Sequence, residues 1–231
     1  MSAPTDQAQV DLDDGYKWRA FFAIALSFFT MVMTMSMVFV ALSAIADDFG
    51  VSLRSASWVV ISEALVISAL LLPMGRFADI VGRKKIHMTG LAIFGVGAVF
   101  TALAPTFWAL ILARVFMATG NAMSQSVGTA MVVAIFPAAE RGKAIGSQTT
   151  AVSVGGASGP IVAGLLLEVL PWEALFLLLL VPISIAFVAA HFLLDEERVS
   201  AGSDQIEGSF DWGGAIMSGL MVVVVVLTIN N

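Results

Sequence analysis

An all-α, membrane-embedded fold is what this sequence predicts, on three observations. Apolar residues make up 59% of the 231 and come in blocks, while charged residues make up only 12%, too few for a soluble domain around one core. Each block is about 20 residues long, the length a helix rising roughly 1.5 Å per residue needs to cross about 30 Å of hydrocarbon. The alternating apolar and polar segments of about 10 residues that mark a membrane barrel are absent, so helices are left as the way to satisfy the backbone in lipid.

The blocks run from Phe21 to Ala46, Ser57 to Met74, Ile86 to Ala104, Thr106 to Phe136, Ala144 to Leu167 and Trp172 to Leu194, with a seventh starting at Gly213. They predict a cytoplasmic tail over 1–20, a six-helix bundle over 21–194, a cytoplasmic linker over 195–212 and the start of a seventh helix over 213–231. "ALSAIA" before Asp47 loosely matches a small-residue cleavage site. The apolar run before it is about twice the length of a signal core and more spans follow, so it reads as an anchor.

Several chemistries find no support in the residues. There is no Cys, hence no disulfide framework or thiolate metal site, and His87 and His191 lack ligand spacing around them. The chain carries no P-loop, HExxH or nucleophile motif, so no cofactor, metal, enzymatic activity or ATP-driven pumping is expected. The net charge of −6 comes largely from the N-terminal acids and the segment after the sixth block, which argues against nucleic acid as a partner.

Orientation follows from the cations, because cytoplasmic loops collect Lys and Arg. With the N-terminus inside, Lys17, Arg19, Arg76, Arg83, Lys84, Lys85, Arg141, Lys143 and Arg198 all fall on the inner side, against Arg54 alone outside. Tryptophan, which prefers the headgroup layer, agrees: Trp18 and Trp212 fall at inner boundaries, and Trp58, Trp108 and Trp172 at outer ones. The expected location is therefore the cell membrane, multi-pass, with a cytoplasmic N-terminus and the bilayer as first partner.

Three motifs then carry a resemblance. "GRFADIVGRKK" lies in the inner turn between spans two and three, and Gly75, Ala78, Asp79, Gly82, Arg83 and Lys84 fit GxLADRxGRK at all but two of its specified positions. Span five reads "GSQTTAVSVGGASGPIVAG", where Gly146, Gly155, Gly159, Pro160 and Gly164 follow gx(8)Gx(3)GPxxGG with Ala163 in place of the penultimate Gly. Span four, "LILARVFMATGNA", places Arg114 at the Arg of lxxxRxxqGxg, a partial match. Together with "FPAAERGKAIG" and "FDWGG", these resemble the major facilitator superfamily of secondary transporters, specifically the N-terminal half of its fourteen-helix drug/proton antiporter branch. Independently of that likeness, Gly155 and Gly159 stand one turn apart, which lets another backbone approach closely, and Pro160 interrupts the hydrogen-bond ladder.

Charge in hydrocarbon is costly, which makes Glu63 in span two and Arg114 in span four functional candidates. Counted from the outer ends of their spans they lie about 9 Å and about 12 Å deep, close enough in level to pair. A carboxyl that alternates between a paired, ionised state and an unpaired, protonated one is a proton carrier; a static ion pair is the other reading, and a Glu63 reaching to the outer interface a third. The branch usually carries an acid in span one within lDxTIVNVALP, but here Thr34 takes the Asp position, Phe39 the Asn position and Ser43 the Pro position. Either Glu63 has taken over that work or coupling is lost. Span one also offers "TMVMTMSMVF", whose Met31 and Met35, with Phe39, are candidates for a loosely specified hydrophobic lining.

The resemblance implies alternating access between two six-helix halves, with Asp79 and Arg83 latching their inner ends and span five forming part of the seam. The expected function is proton-coupled efflux of small hydrophobic or cationic compounds, with protons as co-substrate and a C-terminal half or a second copy as partner. The alternatives are a truncated, non-transporting half and a metabolite exporter of the same fold.

Overall fold

The computed structural model describes residues 14–200 together with residues 213, 214, 217, 219, 221 and 228. Most of the expected tail, the linker beyond residue 200 and the seventh span lie outside the described residues, as does Trp212. Among the described residues the secondary structure is helical throughout. In order these helices are α1 (Asp14–Asp48), α2 (Leu53–Ala56), α3 (Trp58–Val81), α4 (Arg83–Ala102), α5 (Phe107–Ile135), α6 (Arg141–Leu167), α7 (Glu173–Leu178), α8 (Leu180–Leu193) and α9 (Glu196–Val199).

Among the described residues, six segments are long and apolar enough to cross a membrane: α1, α2 with α3, α4, α5, α6, and α7 with α8. They coincide with the six apolar blocks. The first helix is already helical from Asp14, ahead of the apolar block that opens at Phe21, and Lys17 and Trp18 on this stretch are tied down. Lys17 is buried and its Nζ lies 2.6 Å from Glu140 Oε2, while Trp18 packs edge-on to Phe136 at 5.2 Å.

The breaks between helices have local causes. Gly82 takes φ +115°, a conformation that side chains with a β-carbon rarely adopt, and there α3 ends and α4 begins. Thr106, with extended backbone, accepts a hydrogen bond from Ala109 N–H at 3.3 Å and so caps α5. By contrast α6 runs unbroken through Pro160.

Helices pack in the spatial order α6, α1, α8, α4, α5, α3, with α1 also touching α5. Two of these contacts are backbone against backbone. A β-carbon at Gly120 of α5 would stand 2.5 Å from Gly90 O and Phe94 N of α4, and one at Gly155 of α6 would stand 2.6 Å from Phe29 O of α1. Small residues therefore set the interhelical distance where lipid offers no hydrophobic drive for association. Large apolar side chains such as Leu72, Val169 and Phe192 remain exposed around the bundle, as expected where the solvent is hydrocarbon. Trp172 is an exception to the boundary pattern: it is only 4% exposed, packed against Phe49 and Phe176, with its indole N–H donating to Asp48 Oδ2 at 3.1 Å. Its hydrogen-bond partner is protein instead of headgroup water.

Candidate functional site: a buried ion pair and a charged loop

The structure brings Glu63 and Arg114 together. Glu63 on α3 is 1% exposed and Arg114 on α5 is 0% exposed, and Arg114 Nη2 pairs with Glu63 Oε2. The guanidinium is further held by Val59 O, which accepts from Nε–H at 3.4 Å, and by the Phe176 ring, 5.5 Å from Cζ. The second carboxylate oxygen, Oε1, accepts from Asn121 Nδ2 at 3.3 Å, and Asn121 Oδ1 in turn accepts from Gln125 Nε2 at 2.6 Å. Both oxygens of a carboxylate in a dry bundle are thus satisfied, which is the condition for burying an ion pair at tolerable cost. The reading in which Glu63 reaches to the outer interface does not match this geometry.

Asn121 and Gln125 were not among the residues singled out from the sequence. Their signal was there: they follow Arg114 by seven and eleven positions, which at about 100° per residue puts all three on one stripe of α5. The chain Arg114, Glu63, Asn121, Gln125 runs from the N-terminal half of α5 toward its middle.

A second buried ionisable group also stood outside the sequence-derived candidates. His87 of α4 is wholly buried between Ser124 of α5, at 2.8 Å from Nδ1, and Ser27 of α1, at 3.4 Å from Nε2. The Ser27 hydroxyl also donates to Ile24 O at 2.7 Å, so that both ring nitrogens of His87 face a serine hydroxyl. His87 therefore ties three spans together. His87→Leu is expected to leave the Ser124 hydroxyl unpaired and to lower stability by about 1–3 kcal/mol, read as the thermal midpoint of the purified protein, whereas His87→Gln should lose less.

The inner-loop signature is ordered around Gly82. Asp79 Oδ1 lies 3.2 Å from Arg83 Nη2, and Arg83 Nη1 donates to Val199 O at 3.4 Å. Lys84 Nζ donates to His191 O at 3.0 Å and to Leu194 O, at the end of α8. Glu196 of α9 accepts from Lys84 N–H at 3.2 Å, placing a carboxylate at the N-terminus of α4 where the helix dipole favours it. A β-carbon at Gly82 would stand 2.7 Å from Glu196 Oε1, a flexible side-chain end, so it is the positive φ that calls for glycine here. Among the described residues, Asp79 thus meets Arg83, and Arg83 reaches α9. Gly75 faces Ser126 O, where a β-carbon would have ordinary van der Waals room.

The span-five signature is divided. Gly155 and Gly159 pack on α1, where a β-carbon at Gly159 would stand 2.7 Å from Met33 O. Gly146, Gly164 and Pro160 do not share that contact: nothing lies within 4 Å of a β-carbon built at either glycine, and Pro160 is exposed. Thr149, Thr150 and Ser153 are exposed on α6 as well, alongside the apolar Ile145, Val154, Ile161 and Leu165. The span-one candidates do not converge either. Met31 is buried in the bundle core, Met35 is half-buried and Phe39 is 58% exposed on the outside.

Comparisons with known proteins fit this architecture. The family model described as Major Facilitator Superfamily matches residues 24–229. The "Riboflavin transporter RibZ" of Clostridioides difficile (strain 630) is 30% identical over 221 residues, 93% of this chain and 46% of that protein. The "Putative multidrug resistance protein MdtD" of Escherichia coli O6:K15:H31 (strain 536 / UPEC) is 33% identical over 184 residues, 80% of this chain and 39% of that protein. The chain therefore spans less than half the length of these curated relatives. Among solved structures, a peptide transporter POT in complex with sulfate superposes with a TM-score of 0.72 at 14% identity, over 91% of this chain and 44% of that one. A bacterial homologue of the human lysosomal transporter Spinster, inward-facing and unoccupied, superposes with a TM-score of 0.63 at 22% identity, over 80% of this chain and 44% of that one. The helix order, the signature loop and the match over most of the chain lead to one assignment: this polytopic chain belongs to the major facilitator superfamily.

Proposed function

We propose that the chain supplies one six-helix half of a secondary transporter, and that Glu63 and Arg114 couple proton movement to efflux of hydrophobic or cationic compounds. The observation that carries this reading is the ion pair itself: a carboxylate and a guanidinium with almost no exposure, linked to two amides, inside an otherwise apolar bundle. Buried ionisable groups in membrane spans are retained for function far more often than for stability, because an apolar pair of similar volume costs less. Protonation of Glu63 would release Arg114 and change the charge of the α3–α5 contact, giving the alternating cycle a proton-dependent step. The similarity to a putative multidrug resistance protein supports the drug reading, and the missing acid in span one makes Glu63 the natural carrier.

In this reading the six helices pack against a C-terminal half or a second copy in the plasma membrane, with the N-terminus cytoplasmic. The exposed Gly146, Thr149, Thr150 and Ser153 on the first turns of α6 support it as part of the seam. The loop of Asp79 and Arg83 acts as the inner latch, and its attachment to α9 passes motion to the segment after span six. Asp79→Asn, with expression and topology unchanged, is expected to cut the transport rate at least tenfold, measured as substrate flux in everted vesicles. Full flux would reduce the loop to a topological signal. A second reading, a metabolite exporter, draws on the similarity to a riboflavin transporter over nearly the whole chain. Flux of ethidium against flux of riboflavin in the same vesicles separates the two.

The test of the coupling role is drug-driven proton movement in vesicles, comparing the parent with Glu63→Gln. Coupling lost with the protein still inserted supports it, and unchanged coupling removes Glu63 from the mechanism.

A further inference from the structure

We propose that a cleft between α1, α4, α8 and α9, at the loop end of the bundle, holds the phosphate headgroup of an anionic phospholipid. The cleft has a volume of about 630 Å³ and is lined by cations, acids and the exposed end of α8. Its acids are already engaged. Asp195 Oδ1 accepts from Glu197 N–H at 3.0 Å, and Glu196 Oε1 accepts from Lys84 N–H at 3.2 Å and from the Ser200 hydroxyl at 3.0 Å.

Its cations are engaged unequally. Lys84 Nζ is committed to two carbonyls at the end of α8. Arg198 is held loosely, its Nε 3.8 Å from Asp195 Oδ2 and its guanidinium carbon 4.5 Å from the centroid of the Tyr16 ring. Arg19 is exposed and has no hydrogen-bond or ion-pair partner among the described residues. The cleft thus presents one uncommitted guanidinium beside a second that a stronger acceptor can draw away. A phosphate diester is such an acceptor, since guanidinium binds it through two parallel hydrogen bonds.

Two features select a lipid over a soluble anion. The cleft opens at the ends of three membrane spans, where headgroups lie, and its rim carries Phe192, 77% exposed on the last turn of α8. A lipid offers a phosphate to Arg19 and an acyl chain to Phe192 together; inorganic phosphate offers only the first. Charge complementarity selects an anionic headgroup, because a zwitterionic one brings its own ammonium to compete with Arg19 for the phosphate. The Tyr16 hydroxyl, which accepts from Asp195 N–H at 3.1 Å, fixes the wall of α1 against the end of α8 and keeps the cleft formed.

The experiment is native mass spectrometry of the purified protein in detergent, titrated with dioleoylphosphatidylglycerol and, separately, with dioleoylphosphatidylcholine. The parent is expected to retain phosphatidylglycerol preferentially. Arg19→Gln should bind it about fivefold more weakly, the effect of one basic group at a membrane surface, while Arg19→Lys keeps most of the affinity. Arg54→Gln, at the opposite end of the bundle, should match the parent. Equal retention of both lipids by the parent, or undiminished binding by Arg19→Gln, overturns the proposal. So does displacement of phosphatidylglycerol by millimolar inorganic phosphate, which would make this a soluble-anion site. Should Arg19→Gln fail to fold, the thermal midpoint of the parent decides: a rise with phosphatidylglycerol and none with phosphatidylcholine or phosphate supports the lipid site, and equal shifts refute it.

Discussion

Arg114→Ala is expected to cost about 3–5 kcal/mol of stability, enough to leave little folded protein. The substitution removes the partner of a carboxylate that is 1% exposed, and a charge stranded in the bundle has no water to turn to. Asn121 would still donate to Glu63 Oε1, but one amide cannot replace a guanidinium. The double variant Glu63→Gln with Arg114→Met removes both charges at similar volume and should recover most of the thermal midpoint while failing to couple protons. That split between stability and coupling is the diagnostic result. If the double variant couples as well as the parent, the pair is a static tie.

Gly120→Ala is the second large effect, and a single methyl group causes it. Its β-carbon would stand 2.5 Å from Gly90 O and Phe94 N, which are backbone atoms and cannot rotate aside. Overpacking where side chains can yield costs about 1–3 kcal/mol, so here the upper end or more is expected, read as a fall in the thermal midpoint in detergent. Gly146→Ala supplies the contrast, since nothing lies within 4 Å of the added carbon and the helix gains propensity. It should be neutral or slightly stabilising. Equal midpoints for the two variants would mean that α4 and α5 are not in backbone contact.

The spans were legible because hydrophobic length is a one-dimensional property. The first six apolar blocks became crossing helices, and the breaks fell at Gly82 and Thr106 for reasons carried by those residues themselves. The pairing of Glu63 with Arg114 was legible as well, since rise per residue converts sequence position into depth. Azimuth was much less so. In a soluble helix the apolar stripe marks the inside, but in a membrane the lipid-facing and core-facing sides are both apolar, and hydrophobic periodicity no longer tells them apart. Met31 and Phe39, eight positions apart on α1, look equally suited to a lining, yet one is core and the other is exposed.

The sequence by itself determined the positions of the six described membrane spans, the residues that carry charge inside them and the loop signatures between them. Tertiary structure alone decided the partners: Asn121 and Gln125 for Glu63, Ser27 and Ser124 for His87, Glu196 for the start of α4, and α1 for two of the span-five glycines. The physical reason is that depth follows from counting along one chain, whereas a hydrogen bond between spans depends on how two helices are rotated and spaced against each other. That is set by which small residues let their backbones touch.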